Sequence, residues 1–171
     1  YSIVDGLVRL KPLMSRVADM GMPAVAVTDY SNFYGLVKAY KSAFGAGIQP
    51  IFGVDLMVME SDDPERAYPL CLLAMNHTGY HNLTLLISRG YTDGQFLGMP
   101  YVAKNWLEEC AEGVIALSAG TAGEVGQALL GEKDDLARER LRYWMNLYPD
   151  RFYLELHRTG REGDEAHLHA A

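Results

Sequence analysis

The chain has 171 residues, and its 15 Lys and Arg against 22 Asp and Glu give a net charge of −7 at pH 7. That length is typical of one domain with its own core, and a composition of 49% hydrophobic and 22% charged residues excludes a disordered or collagen-like chain. No apolar run approaches the roughly 18–20 residues that a membrane span needs. The excess negative charge repels phosphate, which disfavours direct binding to DNA or to an anionic membrane.

The cysteines and the chain ends give two further expectations. Cys71 and Cys110 lie in separate apolar segments without a CxxC pair, which disfavours a disulfide scaffold and a cysteine-rich zinc site and makes a reducing cytoplasm the expected location. The chain starts at Tyr1 with no initiator Met or leader, and residues 164–171 begin like a helix but reach no Gly or Asn cap. We therefore expect an excerpt of a longer protein.

Apolar periodicity and turn residues predict an alternation of helices and strands. In chain order we predict a helix from Leu10 to Met20, a strand at 24–28, a helix capped by Ser31 or Asn32 and ended by Gly45, a strand at 48–59, a polar loop at 61–66, a strand at 70–75, a helix from Thr78 to Gly90, a Gly-rich loop at 91–100, a short helix around Trp106, a strand at 114–118, helices at 123–130 and 134–147, a strand at 152–156 and an unfinished last helix. This order is typical of an α/β fold with mostly parallel strands and no internal domain boundary.

If the sheet closes into a barrel, functional groups are expected where strands end. The residues at these positions are 28–30, Asp55, 75–76, Ser118 and 155–158. Asp29 directly follows a buried strand, where a carboxylate can bind a divalent metal or act as a general base. The alternative is structural, with Asp29 accepting backbone N–H bonds in the next turn, around Asn32. Asp55 and Glu155 are further candidate acids, which should each meet a cation or face solvent.

Other polar residues match no catalytic motif. His77 and His81 share one helix face without the Glu of a zinc protease, His167 and His169 should diverge, and His157 alone is placed like a site residue. The turn at 120–124 leads from strand to helix but lacks the Lys of a P-loop, and Ser118 and Cys71 have no nucleophile context. The motifs and residue chemistry by themselves therefore predict an α/β domain whose main candidate site residue, Asp29, is supported by only a weak signal.

The order of several longer segments is more specific than any single motif. They are YSIVDG at 1–6, GMPAVAVTDY at 21–30, GAGIQPIFGVD at 45–55, NHTGYHNLTLLIS at 76–88, EGVIALS at 112–118 and YPDRFYLEL at 148–156. With these segments the chain resembles, over its whole length, the polymerase-and-histidinol-phosphatase (PHP) domain of bacterial DNA polymerase III alpha subunits, in the proteobacterial form. The resemblance implies a distorted (β/α)7 barrel, with residues 1–171 forming a single, incomplete PHP domain.

The resemblance also implies a degenerate metal site. In metal-competent relatives the barrel binds divalent metals and can hydrolyse phosphodiesters. Asp29 matches the acid of the family's Thr-Asp-His motif, but Tyr30 replaces the histidine, Asp55 stands where relatives have a glutamate, and Pro69 stands about where they have a histidine. The family's His-x-His would lie just before Tyr1, and its later acid-and-histidine motif beyond the last residue. Neither Tyr nor Pro replaces an imidazole ligand at neutral pH, so we expect no metal, no cofactor and no catalytic residue in this part.

The resemblance implies that this domain is a non-catalytic structural module of a larger enzyme and that it docks a partner subunit. The parent would be the DNA-directed DNA polymerase, a nucleotidyltransferase, of chromosomal replication, using magnesium and contacting DNA outside this domain. The partners implied are the rest of the alpha subunit, the proofreading exonuclease (epsilon) subunit and the replicase holoenzyme, with no membrane. Two alternatives are an active metal-dependent phosphoesterase or 3'-5' exonuclease and a free-standing phosphatase. The Asn-x-x-Gly-Tyr-x-Asn-Leu string at 76–83 disfavours the second of these.

Overall fold

Helices and strands alternate along residues 8–60 and 63–171, which are the residues that the structure, a computed structural model, describes. The helices are α1 Leu10–Asp19, α2 Leu36–Ala46, α3 His77–Thr92, α4 Lys104–Glu109, α5 Glu124–Leu130, α6 Asp134–Leu147 and α7 Asp164–Ala170. The strands are β1 Ala24–Tyr30, β2 Gln49–Glu60, β3 Asp63–Ala74, β4 Gln95–Phe96, β5 Met99–Pro100, β6 Val102–Ala103, β7 Val114–Leu117 and β8 Phe152–Tyr153. The predicted α/β class is confirmed. The segment at 1–6 and residues 61–62 of the predicted loop lie outside the described residues.

Within the described part of the chain, the main sheet has six strands. Five of them lie in the order β1-β2-β3-β7-β8, and the sixth, β6, pairs with β2 beyond the point where β1 ends. The pairs β1–β2, β2–β6 and β7–β8 are parallel, whereas β3 is antiparallel to both β2 and β7. All main-sheet strands except β3 therefore run in one direction, and the prediction of mostly parallel strands is confirmed. Among the described strands, β1 and β8 end the sheet without pairing with each other, as in a partial barrel.

The hairpin formed by β2 and β3 corrects the predicted loop at 61–66. Residues 63–66 already belong to β3, which pairs with β2 through a register shift at Met59 and Glu60. Their polar side chains suggested a loop. However, the first residues of β3 lie at the turn end of the hairpin, where the side chains are not packed in a core. Polar residues are therefore compatible with a strand at this position.

Strand alternation places one side of the sheet against the helices. In β2, Val54, Leu56 and Val58 are buried, while Asp55 and Met57 between them are only partly buried. The larger core cluster combines these three valine and leucine residues with side chains of β3, α3, α4, β7, α5 and α6. A smaller cluster packs α1 and α2 on β1. No helix in the described part of the chain combines the length and apolar character needed to cross a bilayer.

Several helix ends differ from the prediction because backbone turns replace side-chain caps. Helix α2 begins after Gly35, while Asn32 stays in the preceding turn, where it donates to the Tyr30 carbonyl at 2.6 Å. The helix ends one residue beyond Gly45, and Gly47 adopts the left-handed conformation that ends many helices (φ 71°).

Helix α3 and two later segments also differ from the prediction. Asn76, not Thr78, caps α3 by accepting from the Gly79 N–H at 3.0 Å, and the helix continues past Gly90 to Thr92. The loop predicted at 91–100 contains the β4–β5 hairpin. The strand predicted at 152–156 is shorter, because only Phe152 and Tyr153 pair with β7.

Candidate functional site

The predicted strand-end residues do not all reach one edge of the sheet. Asp29 and Tyr30 end β1, and Ser118 follows β7, which runs in the same direction. Residues 75–76 also follow a strand end, but β3 runs the opposite way, so they lie at the other edge of the sheet. Asp55 lies inside β2, opposite Tyr30, rather than at the end of the strand.

Asp29 serves a structural role in the turn that leads to α2. Its Oδ2 accepts a 2.6 Å hydrogen bond from the backbone N–H of Gly35. A Cβ at position 35 would lie 2.8 Å from that same oxygen, so the close approach depends on glycine. Asp29 pairs in register with Val54, whose side chain is in the larger core, so the aspartate lies toward the helix-covered side of the sheet. The acceptor geometry agrees with the structural alternative, with Gly35 as the donor instead of a residue around Asn32.

Asp55 lies on the other side of the sheet from Asp29. Its Oδ2 accepts a 3.2 Å hydrogen bond from the Thr28 hydroxyl, and Cys71 is its cross-strand partner on β3. Burial raises the pKa of the Asp55 carboxyl, while hydrogen bonds from Cys71 and Thr28 oppose that rise. Burial and the neighbouring Asp55 also raise the pKa of the Cys71 thiol. Because only the thiolate is a good nucleophile or metal ligand, Cys71 is a hydrogen-bond donor here.

Tyr30 and Pro69, the other two positions of the degenerate site, contribute no charged ligand. Tyr30 lies next to Asp55 in register, is 46% exposed, and has a phenol pKa raised by burial and by Tyr101 and Tyr91. It is therefore a neutral phenol at neutral pH. Pro69 pairs with Met57 and offers no side-chain ligand atom.

Glu155 holds the turn that follows β7. Its Oε2 accepts a 2.7 Å bond from the Ala119 N–H, and its own N–H donates to the Ser118 hydroxyl at 2.9 Å. The Nε2 atom of His157 lies 3.6 Å from Oε1 of Glu155. The His157 ring also covers Gly120, where a Cβ would lie 2.6 Å from the ring. Both residues therefore have structural contacts at the position predicted for function.

The remaining histidines do not assemble into a site. His77 and His81 are exposed on the first turns of α3, and His169 is exposed on α7. His167 is buried while His169 is exposed, in keeping with their predicted divergence, and within the described residues neither ring nitrogen of His167 has a hydrogen-bond partner. Burial lowers the pKa of the His167 imidazole.

The residues present do not fit the metal cluster that the fold family implies. Across 8–60 and 63–171, no three His, Cys, Asp or Glu side chains are grouped so that they could hold one metal ion. Asp29 and Asp55 lie on opposite sides of the sheet, and Asp29 is bound to Gly35. The thiol of Cys71 is protonated, and Tyr30 is a neutral phenol.

A partly buried network of four charges, formed by Glu60, Lys104, Glu124 and Arg140, is a polar feature that the sequence did not predict. Glu124 accepts from Lys104 Nζ at 3.1 Å and lies 3.2 Å from Arg140 Nε, and Arg140 also binds both oxygens of Glu60. The indole N–H of Trp144 donates to Glu124 at 3.1 Å. The hydrogen bond from Arg140 holds the pKa of the Glu60 carboxyl below its usual range. These residues share no motif, and Glu60 is 80 positions from Arg140, so no local signal reveals the network.

Comparisons with known proteins agree with the fold and with the resemblance. The family model of the PHP domain matches residues 1–159. Over all 171 residues, the chain is 54% identical to DNA polymerase III subunit alpha of Pseudomonas aeruginosa, and it covers 15% of that protein. It is 46% identical over 171 residues to the same subunit of Escherichia coli K12 and to that of Vibrio cholerae, again covering 15% of each.

A solved structure extends the comparison to the fold. A crystal structure of a Bifidobacterium adolescentis protein named as a metal-dependent phosphoesterase matches with a TM-score of 0.60. The match covers 98% of this chain and 79% of that chain at 11% identity, so it shows the fold alone. The chain belongs to the PHP domain family.

Proposed function

We propose that this chain is the PHP-domain part of a bacterial DNA polymerase III alpha subunit, with residues 1–171 forming one incomplete domain. In that protein it would act as a non-catalytic structural module that docks the proofreading exonuclease subunit. The identity of 54% to one such subunit supports the first part. The observation that carries the second part is the site itself, where Asp29 binds Gly35 and where Tyr30 and Pro69 provide no charged ligand.

The activity of the parent follows from its relatives and is part of the same proposal. The chain spans 15% of the length of these alpha subunits. The parent would be the DNA-directed DNA polymerase of chromosomal replication, working with magnesium in the cytoplasm as part of the replicase holoenzyme. An acidic domain suits protein contacts and does not compete with a basic DNA cleft elsewhere in the polymerase.

Metal analysis of the purified full-length alpha subunit tests the non-catalytic role. We expect no stoichiometric zinc or manganese that depends on this domain, and no phosphodiesterase activity that responds to Asp29→Ala. Because Asp29 also holds the turn at Gly35, Asp55→Asn provides a second variant that keeps the side-chain shape. Stoichiometric metal together with activity abolished by both variants would instead establish the alternative, an active phosphoesterase or exonuclease.

Crosslinking mass spectrometry of the intact complex tests the docking role without truncating any chain. The full-length alpha subunit is mixed with the exonuclease subunit, and lysine- and acid-directed crosslinks are mapped. We expect several intermolecular crosslinks within residues 8–171. If all crosslinks to the exonuclease fall elsewhere in the alpha subunit, the docking role is wrong.

A further inference from the structure

The outer face of α2 carries exposed apolar and aromatic side chains. Val37, Tyr40 and Phe44 are 61%, 50% and 76% exposed. Their spacing of three and four residues places them on one side of the helix, and the rings of Tyr40 and Phe44 stack with centroids 6.2 Å apart. Neither core cluster includes these three residues. Single exposed apolar residues are ordinary, but a contiguous row of them marks an interaction surface.

The inner face of the same helix explains why these side chains stay outside. Ala39 and Ala43 are fully buried and belong to the smaller core, together with Met14 and Val17 of α1 and Ile48. Small residues let α1 and the sheet approach α2 closely on that side. The helix therefore already has a complete inner contact, and the row at Val37, Tyr40 and Phe44 is additional to what the fold requires.

Basic residues lie beside this row. Lys41 is on the same side of α2 as Phe44. The charged residues that line an open groove between α1 and α2 are Lys11, Lys41 and Asp19, two basic and one acidic. Residues 8–47 contain five basic residues (Lys or Arg) and two acidic residues (Asp or Glu). The rest of the chain contains ten basic and twenty acidic residues. The exposed apolar row thus lies in a locally positive part of an otherwise acidic protein. Charge complementarity favours an acidic partner at this surface.

A protein segment fits this surface better than a nucleic acid. Aromatic residues are enriched at the centres of protein interfaces, and charged residues surround them at the rim. A nucleic acid would need a longer track of phosphate contacts, and an aliphatic side chain such as Val37 at the centre gives no such contact.

We propose that the outer face of α2, formed by Val37, Tyr40, Lys41 and Phe44, docks an acidic segment of the exonuclease subunit through that segment's aliphatic or aromatic side chains. This assignment rests on the proposed docking function and adds its location and chemistry. Phe44 and Tyr40 provide the apolar contact, and Lys41 together with Lys11 across the groove attracts the carboxylates. Polymerase activity should not depend on this face.

Binding of the exonuclease subunit to the full-length alpha subunit and its variants tests the location. Phe44→Ala should raise the dissociation constant about tenfold, as expected for loss of one central aromatic contact. Lys41→Glu should weaken binding and reduce its salt dependence. The matched controls are Leu97→Ala, at a side chain that is 88% exposed elsewhere, and Lys133→Glu, both expected within twofold of the unchanged protein.

Each outcome decides a different part of the proposal. If the unchanged subunit binds and Phe44→Ala and Lys41→Glu bind equally well, the location on α2 is wrong while the docking function stands. If the unchanged subunit does not bind the exonuclease, both are wrong. A photocrosslinking residue at position 44 gives a second readout, which should label the exonuclease. Crosslinks only within the alpha chain, or to added DNA, would overturn the assignment of the occupant.

Discussion

At position 79 a glycine is required by a close contact between two turns. Asn76 accepts from the Gly79 N–H at 3.0 Å, and Asn82 donates to the Glu112 carbonyl at 2.9 Å. These bonds hold the start of α3 against the turn at Gly113, and a Cβ at position 79 would clash with the Gly113 carbonyl oxygen. The Asn-x-x-Gly-Tyr-x-Asn string therefore has a structural explanation. Its glycine allows the backbone of α3 to contact the backbone of Gly113, and its two asparagine side chains form the hydrogen bonds that hold this contact.

Replacing this glycine should destabilise the fold. Gly79→Ala forces the backbone of Gly113 to move, and we expect a loss of about 3 kcal/mol in the free energy of unfolding. Gly45→Ala is the control, since Gly45 also lies in a helix but a Cβ there would meet nothing within 4 Å. That variant should gain about 0.5–1 kcal/mol. Urea denaturation measures the free energy of unfolding of both variants. Equal changes in the two would contradict a close contact between position 79 and the Gly113 backbone.

Asp55 should cost stability at neutral pH, because burial raises the pKa of its carboxyl. For an acid whose folded-state pKa lies above its unfolded value of about 4, the favourable contribution is present below pH 4 and is lost as pH rises through the folded-state pKa. Asp55→Asn removes the buried charge and keeps an acceptor for Thr28. We therefore expect a higher Tm for this variant at pH 7–8 and a difference that disappears near pH 4.

The exposed Glu162 provides the control for this pH dependence. Glu162→Gln should change Tm little at either pH, because an exposed carboxyl is solvated in both the folded and unfolded states. A gain for Asp55→Asn that is independent of pH, or larger in acid, would show that the carboxyl is not disfavoured by burial.

At the scale of elements, the four-charge network joins the end of β2 to three helices. Lys104 is on α4, Glu124 on α5 and Arg140 on α6, while Glu60 ends β2. The side chain of Glu124 is only 9% exposed. It accepts hydrogen bonds from Lys104 and Trp144 and forms an ion pair with Arg140. Two acids and two bases balance each other there. Removing one member therefore leaves an uncompensated charge in a partly buried environment.

Glu124→Gln should consequently destabilise the protein by about 3 kcal/mol. The control is Glu109→Gln, which breaks the Arg89–Glu109 pair, whose side chains are 39% and 67% exposed. That loss should stay below about 1 kcal/mol, since exposed pairs contribute little. Thermal or urea denaturation of both variants measures the difference, and similar losses would mean that the network adds no more than a surface pair.

At the scale of the whole molecule, two cores of unequal size share one sheet. Among the residues that the structure describes, the larger core contains 15 buried residues and the smaller one five. The smaller core holds α1 and α2 to the edge strand β1, whereas β2, β3 and β7 lie in the centre of the sheet and contribute to the larger one. Fewer buried contacts mean a lower free energy of local opening.

Native-state hydrogen exchange should resolve these two parts. We expect the amides of β2, β3 and β7 to exchange most slowly, at the rate set by global unfolding, and those of α1 and α2 to exchange faster through a local opening. Binding of a partner on the outer face of α2 should slow exchange in that helix. Equal protection of α1, α2 and the central strands would contradict a separate opening of the smaller core.

The sequence alone determined the alternation of helices and strands, the α/β class and the family. These features depend on apolar spacing, turn residues and short ordered segments, which are local properties of the chain. It also identified Asp29 as a residue at the end of a buried strand, but it left open whether this carboxylate binds a metal or a backbone amide. The contact with Gly35 favours the amide, because that N–H is six positions away and fixed by the start of α2.

Only the tertiary structure decided the direction of β3, the separation of Asp29 from Asp55, and the four-charge network. Apolar periodicity shows which residues of a strand are buried but contains no information on which way the strand runs between its neighbours. The antiparallel direction of β3 therefore puts residues 75–76 at the opposite edge of the sheet from the other strand-end residues. Likewise, Glu60 and Arg140 are 80 positions apart, and only the packing of α6 against the end of β2 brings their charges together.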